Sequence, residues 1–318
     1  MLNSIYNRIK NNDNLFFSGI VFFLINYAIV ILTFWDNHLV CRDVVDFQSK
    51  LDSIFVKDFW NAFKNNTLLL YLLNAFKAFN ILSIVNIQVF SVILISTVLL
   101  KKLKPYYVAL IFLIVFNDLL CNQFRQSIAL SLFFLVYLYE FRNKQVKFVL
   151  YVCSFLTHFF AIAIVSSLFV EKKYDFFLKH KKRIAFVSFL LILGSIFLLD
   201  KRLAFYLIPT ANFISLKFVL CFSLLLLNKS FLQIKTFNFF LSLSVVCLLV
   251  SFLPSLSTRL SELLLIMFVV YLGKFDLVND FRVKWLNFLL AFGYFVFCVV
   301  NIWVVKRDLM YKIFQNLV

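Results

Sequence analysis

Residues 147–183 read "KFVLYVCSFLTHFFAIAIVSSLFVEKKYDFFLKHKKR". An apolar run from 148 to 170 carries one histidine, His158, near its middle and ends in a dense basic cluster from Lys172 to Arg183. Read as one straight membrane span, the run places that cluster across the bilayer from Arg142, Lys144 and Lys147. Read as a hairpin that turns at Thr157–His158, it returns the cluster to the side it left. Every later loop changes side with this choice. Lysines and arginines concentrate on the cytosolic side of membrane proteins. With Lys77 unassigned, the straight span leaves 15 inside and 16 outside, whereas the hairpin leaves 19 inside and 12 outside. The hairpin is therefore expected. Each arm has about eleven residues, or roughly 16 Å, which is half the hydrocarbon core. Such a broken helix survives at that depth only when packed in protein or lining an aqueous cavity.

The rest of the chain supports reading it against a bilayer. Hydrophobic residues make up 63% and charged residues 15%, with a mean hydropathy of +0.95. Soluble domains run near half and a quarter. Apolar runs of about 15–25 residues are joined by short polar connectors, the pattern of an all-α, polytopic integral membrane protein rather than of an alternating β-barrel. Spans are expected over 15–34, 82–100, 106–120, 124–140, 184–199, 213–228, 237–253, 259–273 and 285–305. With the 148–170 hairpin they give about 9–11 transmembrane helices in one domain, 1–318. The first run is too long for a signal-peptide core and reads as an uncleaved anchor. Residues 36–66 form an outer loop, and 67–79, which contain Lys77, read as an interfacial or re-entrant helix.

The net charge of +17 sits mainly in connectors. Anionic lipid and the positive-inside bias account for it, and no nucleic-acid partner is expected. Six cysteines show no metal-ligand spacing. Four lie in apolar runs as small hydrophobes, while Cys41 and Cys121, both near outer ends, leave room for a disulfide. There is no glycine-rich phosphate loop among only four glycines, so a soluble nucleotide is not expected.

Polar groups that resist this greasy background mark the site. "FNDLLCNQFRQSIALSLFF", residues 116–134, sets Arg125 and Gln126 at the start of a span; Asn117 and Asp118 just before them read as helix-end residues. "LPSLSTRLSELL", residues 253–264, does the same with Arg259, and Glu262 follows on nearly the same helix face. Arg42, Asp43 and Asp46 lie in the outer loop, and His158 approaches from the hairpin tip. Charges at the membrane edge are costly and usually line a cavity. Each has a plainer reading: Arg125 snorkelling to headgroups, Arg259–Glu262 as an ordinary helix pair, His158 as a core histidine, and the aspartates as loop solvation. Two arginines in one dehydrated chamber repel unless an anion joins them, and guanidinium groups bind phosphate oxygens in pairs. A lipid-linked pyrophosphate is the natural ligand. An aspartate would then serve as base toward a sugar hydroxyl, with His158 assisting at the phosphate.

The stretch "FRQSIALSLFFLVYLYEFRNKQVKFVLYVCSFLTHFFAIAI" resembles the core of EpsG-type exopolysaccharide and Wzy-type O-antigen polymerases. The matching residues are Arg125, Gln126, Ala129 and His158. The outer-loop "CRDVVDFQSKLD" is similar to the family's Arg/Asp loop, with Phe47 near the place where a tyrosine is often found. "STRLSELLLIMF" is similar to its late arginine-started helix through Arg259. The resemblance is best over about 110–170. It implies a bacterial inner-membrane polymerase, its active site facing the periplasm, that moves a glycan from one undecaprenyl pyrophosphate to a repeat unit on another. It implies no metal and no cofactor. Arg42, Arg125, Gln126 and Arg259 would bind substrate; Asp43, Asp46, His158 and Glu262 would be catalytic, and a chain-length regulator is a partner the reading leaves room for. The alternatives are a lipid-linked oligosaccharide flippase, which would leave no surface glycan when lost, and an O-antigen ligase-like transferase, which tends to carry a larger late outer loop. A membrane O-acyltransferase lacks an acyl-donor site here. A purely structural membrane protein leaves the arginines without a role.

Overall fold

A computed structural model of the chain describes residues 13–34, 84–116, 123–169, 215–251 and 253–305. Outside these lie residues 36–66, read from sequence as an outer loop with Arg42, Asp43 and Asp46; residues 67–79, read as an interfacial or re-entrant helix; Asn117 and Asp118; the basic run 171–183; the expected span 184–199; and Cys41 and Cys121. Every regular element among the described residues is helical: α1 (Asp13–Phe34), α2 (Ile84–Leu100), α3 (Pro105–Val115), α4 (Phe124–Leu138), α5 (Lys144–Thr157), α6 (Phe159–Val165), α7 (Leu216–Leu227), α8 (Ile234–Leu249), α9 (Pro254–Phe275) and α10 (Phe281–Val305), with short 3₁₀ turns at Ser166–Phe169 and Lys229–Phe231.

Three of these, α1, α9 and α10, contain stretches long and apolar enough to cross a membrane; α2, α3, α4, α7 and α8 are shorter apolar helices. Helix ends follow local chemistry. Pro105 and Pro254 occupy first-turn positions, where no backbone N–H is needed. For this reason α9 starts five residues before the apolar run that defines it. The Asn143 side chain accepts from the N–H groups of Gln145 and Val146 and so caps α5. Asp276 ends α9 in the left-handed region at φ 48° and is held there by Lys104 and the Tyr107 hydroxyl.

Helix α3 is the centre. Tyr106 to Val115 are all buried, against α1, α9 and α10. In α9, Ser261 to Val270 are buried on every face. Gly273 lets α3 and α9 approach closely: a Cβ there would lie 3.0 Å from the Tyr107 ring. The outer helices reverse this pattern. Phe22 and Phe23 on α1, Leu249 on α8, and Leu289 and Phe297 on α10 are exposed. A large exposed apolar surface marks an interaction surface or a membrane-facing one.

The chain doubles back at His158. Tyr151 Oη and Ser166 Oγ are 2.8 Å apart, and the rings of Tyr151 and Phe169 lie 6.3 Å apart. Lys147 and Phe169 line one cavity of about 400 Å³ together with Tyr137, Tyr271 and Lys274. In a straight helix those two residues would be about 33 Å apart. Helix α5 packs on α4, and the return arm α6 packs on α4 and α9. Ser154 Oγ donates to the Ala129 carbonyl at 2.8 Å, closing α5 onto a small residue of α4. The reversal expected near Thr157–His158 is thus present as far as Phe169, between a longer arm, Lys144–Thr157, and a shorter one, Phe159–Val165.

Cross-links sort the helix ends into two layers. In one, Lys104 meets Asp276, Lys284 meets Asp13 at 3.2 Å, Lys274 donates to the Tyr137 carbonyl at 2.8 Å, and Lys102 sits over the Tyr139 ring. Asn228 and Asn287 exchange two amide hydrogen bonds of 3.0 Å, and Asn287 also donates to Tyr106 Oη at 3.1 Å. Eleven of the fourteen lysines and arginines among the described residues belong to this layer. The other three, Arg125, Lys217 and Arg259, lie at the opposite layer, where α4, α7 and α9 begin.

Candidate functional site

The site is built from four chain segments at that opposite layer. Arg125 and Gln126 stand in the first turn of α4, His158 at the hairpin break, Lys217 in the first turn of α7, and Arg259 and Glu262 in the first half of α9. None of these helices is adjacent in sequence to all the others; the contacts of α4 with α6 and of α9 with α6 and α7 bring them together.

His158 is both the C-cap of α5 and the N-cap of α6, with φ −153° and ψ 82°. Its backbone N–H donates to Ser154 O at 3.2 Å, and its Nδ1 accepts from the Ala161 N–H at 3.2 Å. A neutral imidazole carries its hydrogen on one nitrogen and accepts at the other. With Nδ1 accepting, the hydrogen resides on Nε2, and His158 is a neutral donor there. The guanidinium groups of Arg125 and Arg259 both act electrostatically on this ring. The two arginines named from sequence are thus both near enough to act on the same imidazole.

Glu262 is 1% exposed. Its Oε2 accepts from Lys217 Nζ at 2.8 Å and its Oε1 from Gln126 Nε2 at 3.3 Å. The carboxylate therefore ties α4, α7 and α9 at one point. Sequence spacing offered Arg259 as its helix-face partner; the structure gives it Lys217, itself buried. Lys217 is the site residue that sequence reading missed. Its one signal was a lysine just inside an apolar run, after Ser215, which caps α7 by accepting from the Phe218 N–H. Sustaining a buried pair of this kind requires both partners, because one left alone is strongly destabilising.

Among the described residues the cluster holds three cations, one carboxylate and one neutral imidazole. Chemically it can bind an anion with two or more oxygens and offer a hydrogen-bond donor beside it. Of the residues named from sequence, the structure brings together Arg125, Gln126, His158, Arg259 and Glu262; Arg42, Asp43 and Asp46 lie outside the described residues. No protein-family profile, curated protein or solved structure matches the chain.

Proposed function

We propose that the protein is a polytopic membrane glycosyltransferase, a polysaccharide polymerase that joins glycan units carried on undecaprenyl pyrophosphate at the outer face of a bacterial inner membrane. The observation that carries this reading is the meeting of Arg125, Arg259 and His158 at the end of the bundle opposite the basic layer. Positive charge on one side is the cytosolic signature, so a cluster of cations on the other side needs a reason of its own. A lipid-borne diphosphate is that reason. Exposed apolar faces on α1, α8 and α10 suit lipid, and short helices such as α3, buried on all sides, suit the interior of a larger bundle.

In the reaction, the bond between the donor's anomeric carbon and its phosphate oxygen breaks, and a bond forms from that carbon to an acceptor hydroxyl oxygen. The hydroxyl proton passes to a base, and the diphosphate leaves with added negative charge. Arg125 and Arg259 would stabilise that charge as it grows, and the His158 Nε2–H would donate to a phosphate oxygen. Both oxygens of Glu262 already accept hydrogen bonds, which favours Asp43 or Asp46 of the outer loop as the proton acceptor.

The test is complementation of a strain lacking the gene. Arg125→Ala should leave single-repeat glycan in place of a ladder, and Arg125→Lys should restore little, since one ammonium cannot replace a paired guanidinium contact. A full-length ladder with Arg125→Ala removes that residue from the site. Complete loss of surface glycan in the deletion strain would instead mark a flippase.

A further inference from the structure

Glu262 poses a problem for an anion site. It is a buried carboxylate one helical turn from Arg259 and hydrogen-bonded to the residue next to Arg125. Left alone, its charge would oppose any anion bound nearby. Lys217 answers it: Nζ reaches Oε2 at 2.8 Å from the first turn of α7, with its side chain only 10% exposed. An isosteric apolar pair would be as good for stability in many proteins, so stability alone gives little reason for this pair.

We propose that Lys217 is a positioning residue that sets the net charge of the anion site through Glu262. Resting on the diphosphate reading above, it offsets the carboxylate in favour of an anionic ligand. Replacing Lys217 by a neutral residue removes one positive charge from the site, and then neutralising Glu262 restores the balance. A pair that only holds helices together has no such rescue.

The experiment measures binding of inorganic pyrophosphate to the full-length protein in phosphatidylcholine nanodiscs at low salt, where no anionic headgroup competes. Lys217→Gln should weaken binding about tenfold, as expected for one unit charge several ångströms away at intermediate dielectric. Lys217→Arg should bind within about twofold of the wild type. The double variant Lys217→Gln/Glu262→Gln, whose uncharged pair keeps a hydrogen-bonding match and protects folding, should also return to within about twofold. Binding by the double variant as weak as Lys217→Gln, or wild-type affinity in Lys217→Gln, overturns the inference while leaving the anion site standing. Absence of pyrophosphate binding by the wild type removes the diphosphate reading itself, and this inference with it.

Discussion

The hairpin at His158 can be tested by distance. In a cysteine-free background, one cysteine replaces Lys147 and another replaces Phe169. Twenty-two residues separate them, so an unbroken helix would hold them about 33 Å apart, the full thickness of a hydrocarbon core. In the structure both line the same cavity, and the Phe169 ring contacts Tyr151, one turn beyond Lys147. A bismaleimide linker of about 8–11 Å, short against that 33 Å span, should therefore join them in native membranes. The junction is detected by protease cleavage between the two positions followed by gel electrophoresis under reducing and non-reducing conditions. Membrane-impermeant maleimide should also label both from the same side, the side that labels Arg142→Cys. Labelling from opposite sides, with no intramolecular cross-link, would refute the reversal and every orientation assigned after it.

Three further outcomes follow from named contacts. Asn287→Leu strands the Asn228 amide and the Tyr106 hydroxyl in the core, so the thermal midpoint in detergent should fall by the equivalent of about 2–4 kcal/mol. Adding Asn228→Leu should cost less than the sum of the two single changes. Gly273→Val drives a side chain into the Tyr107 ring and should destabilise by about 1–3 kcal/mol, measured the same way. His158→Ala should lose about 1 kcal/mol of stability with the α6 cap. His158→Asn, which keeps a side-chain acceptor, should recover that stability without recovering the glycan ladder if the Nε2–H is what the reaction uses.

The elements legible in sequence are those whose signal is local. Hydropathy located α1, α2, α4 and α10 within about four residues of their ends. It placed α9 late, because its first turn, Pro254 to Thr258, is polar and starts from proline chemistry instead of apolar content. The reversal at His158 was legible from charge sidedness, a global constraint that needs no contact information. The pairing of Glu262 was not: Lys217 is 45 residues away on another helix, and spacing along α9 speaks only of that helix's own face. Arg125, Arg259 and His158 could be suspected individually as polar groups in apolar surroundings. That all three come together depends on α6 packing on both α4 and α9, which no local pattern encodes.

Helices α4, α7 and α9 all begin at the site, and this arrangement has an electrostatic consequence. The residues preceding α4 and α9, Gln123 and Leu253, provide no side-chain cap. Each helix start carries the equivalent of about half a positive charge from its aligned peptide dipoles. Unlike an ammonium or a guanidinium, this charge neither titrates nor disappears when a side chain is replaced. The site should therefore keep a weak attraction for anions even after both arginines are lost, and the side chains add strength and geometry to a field the backbone already supplies.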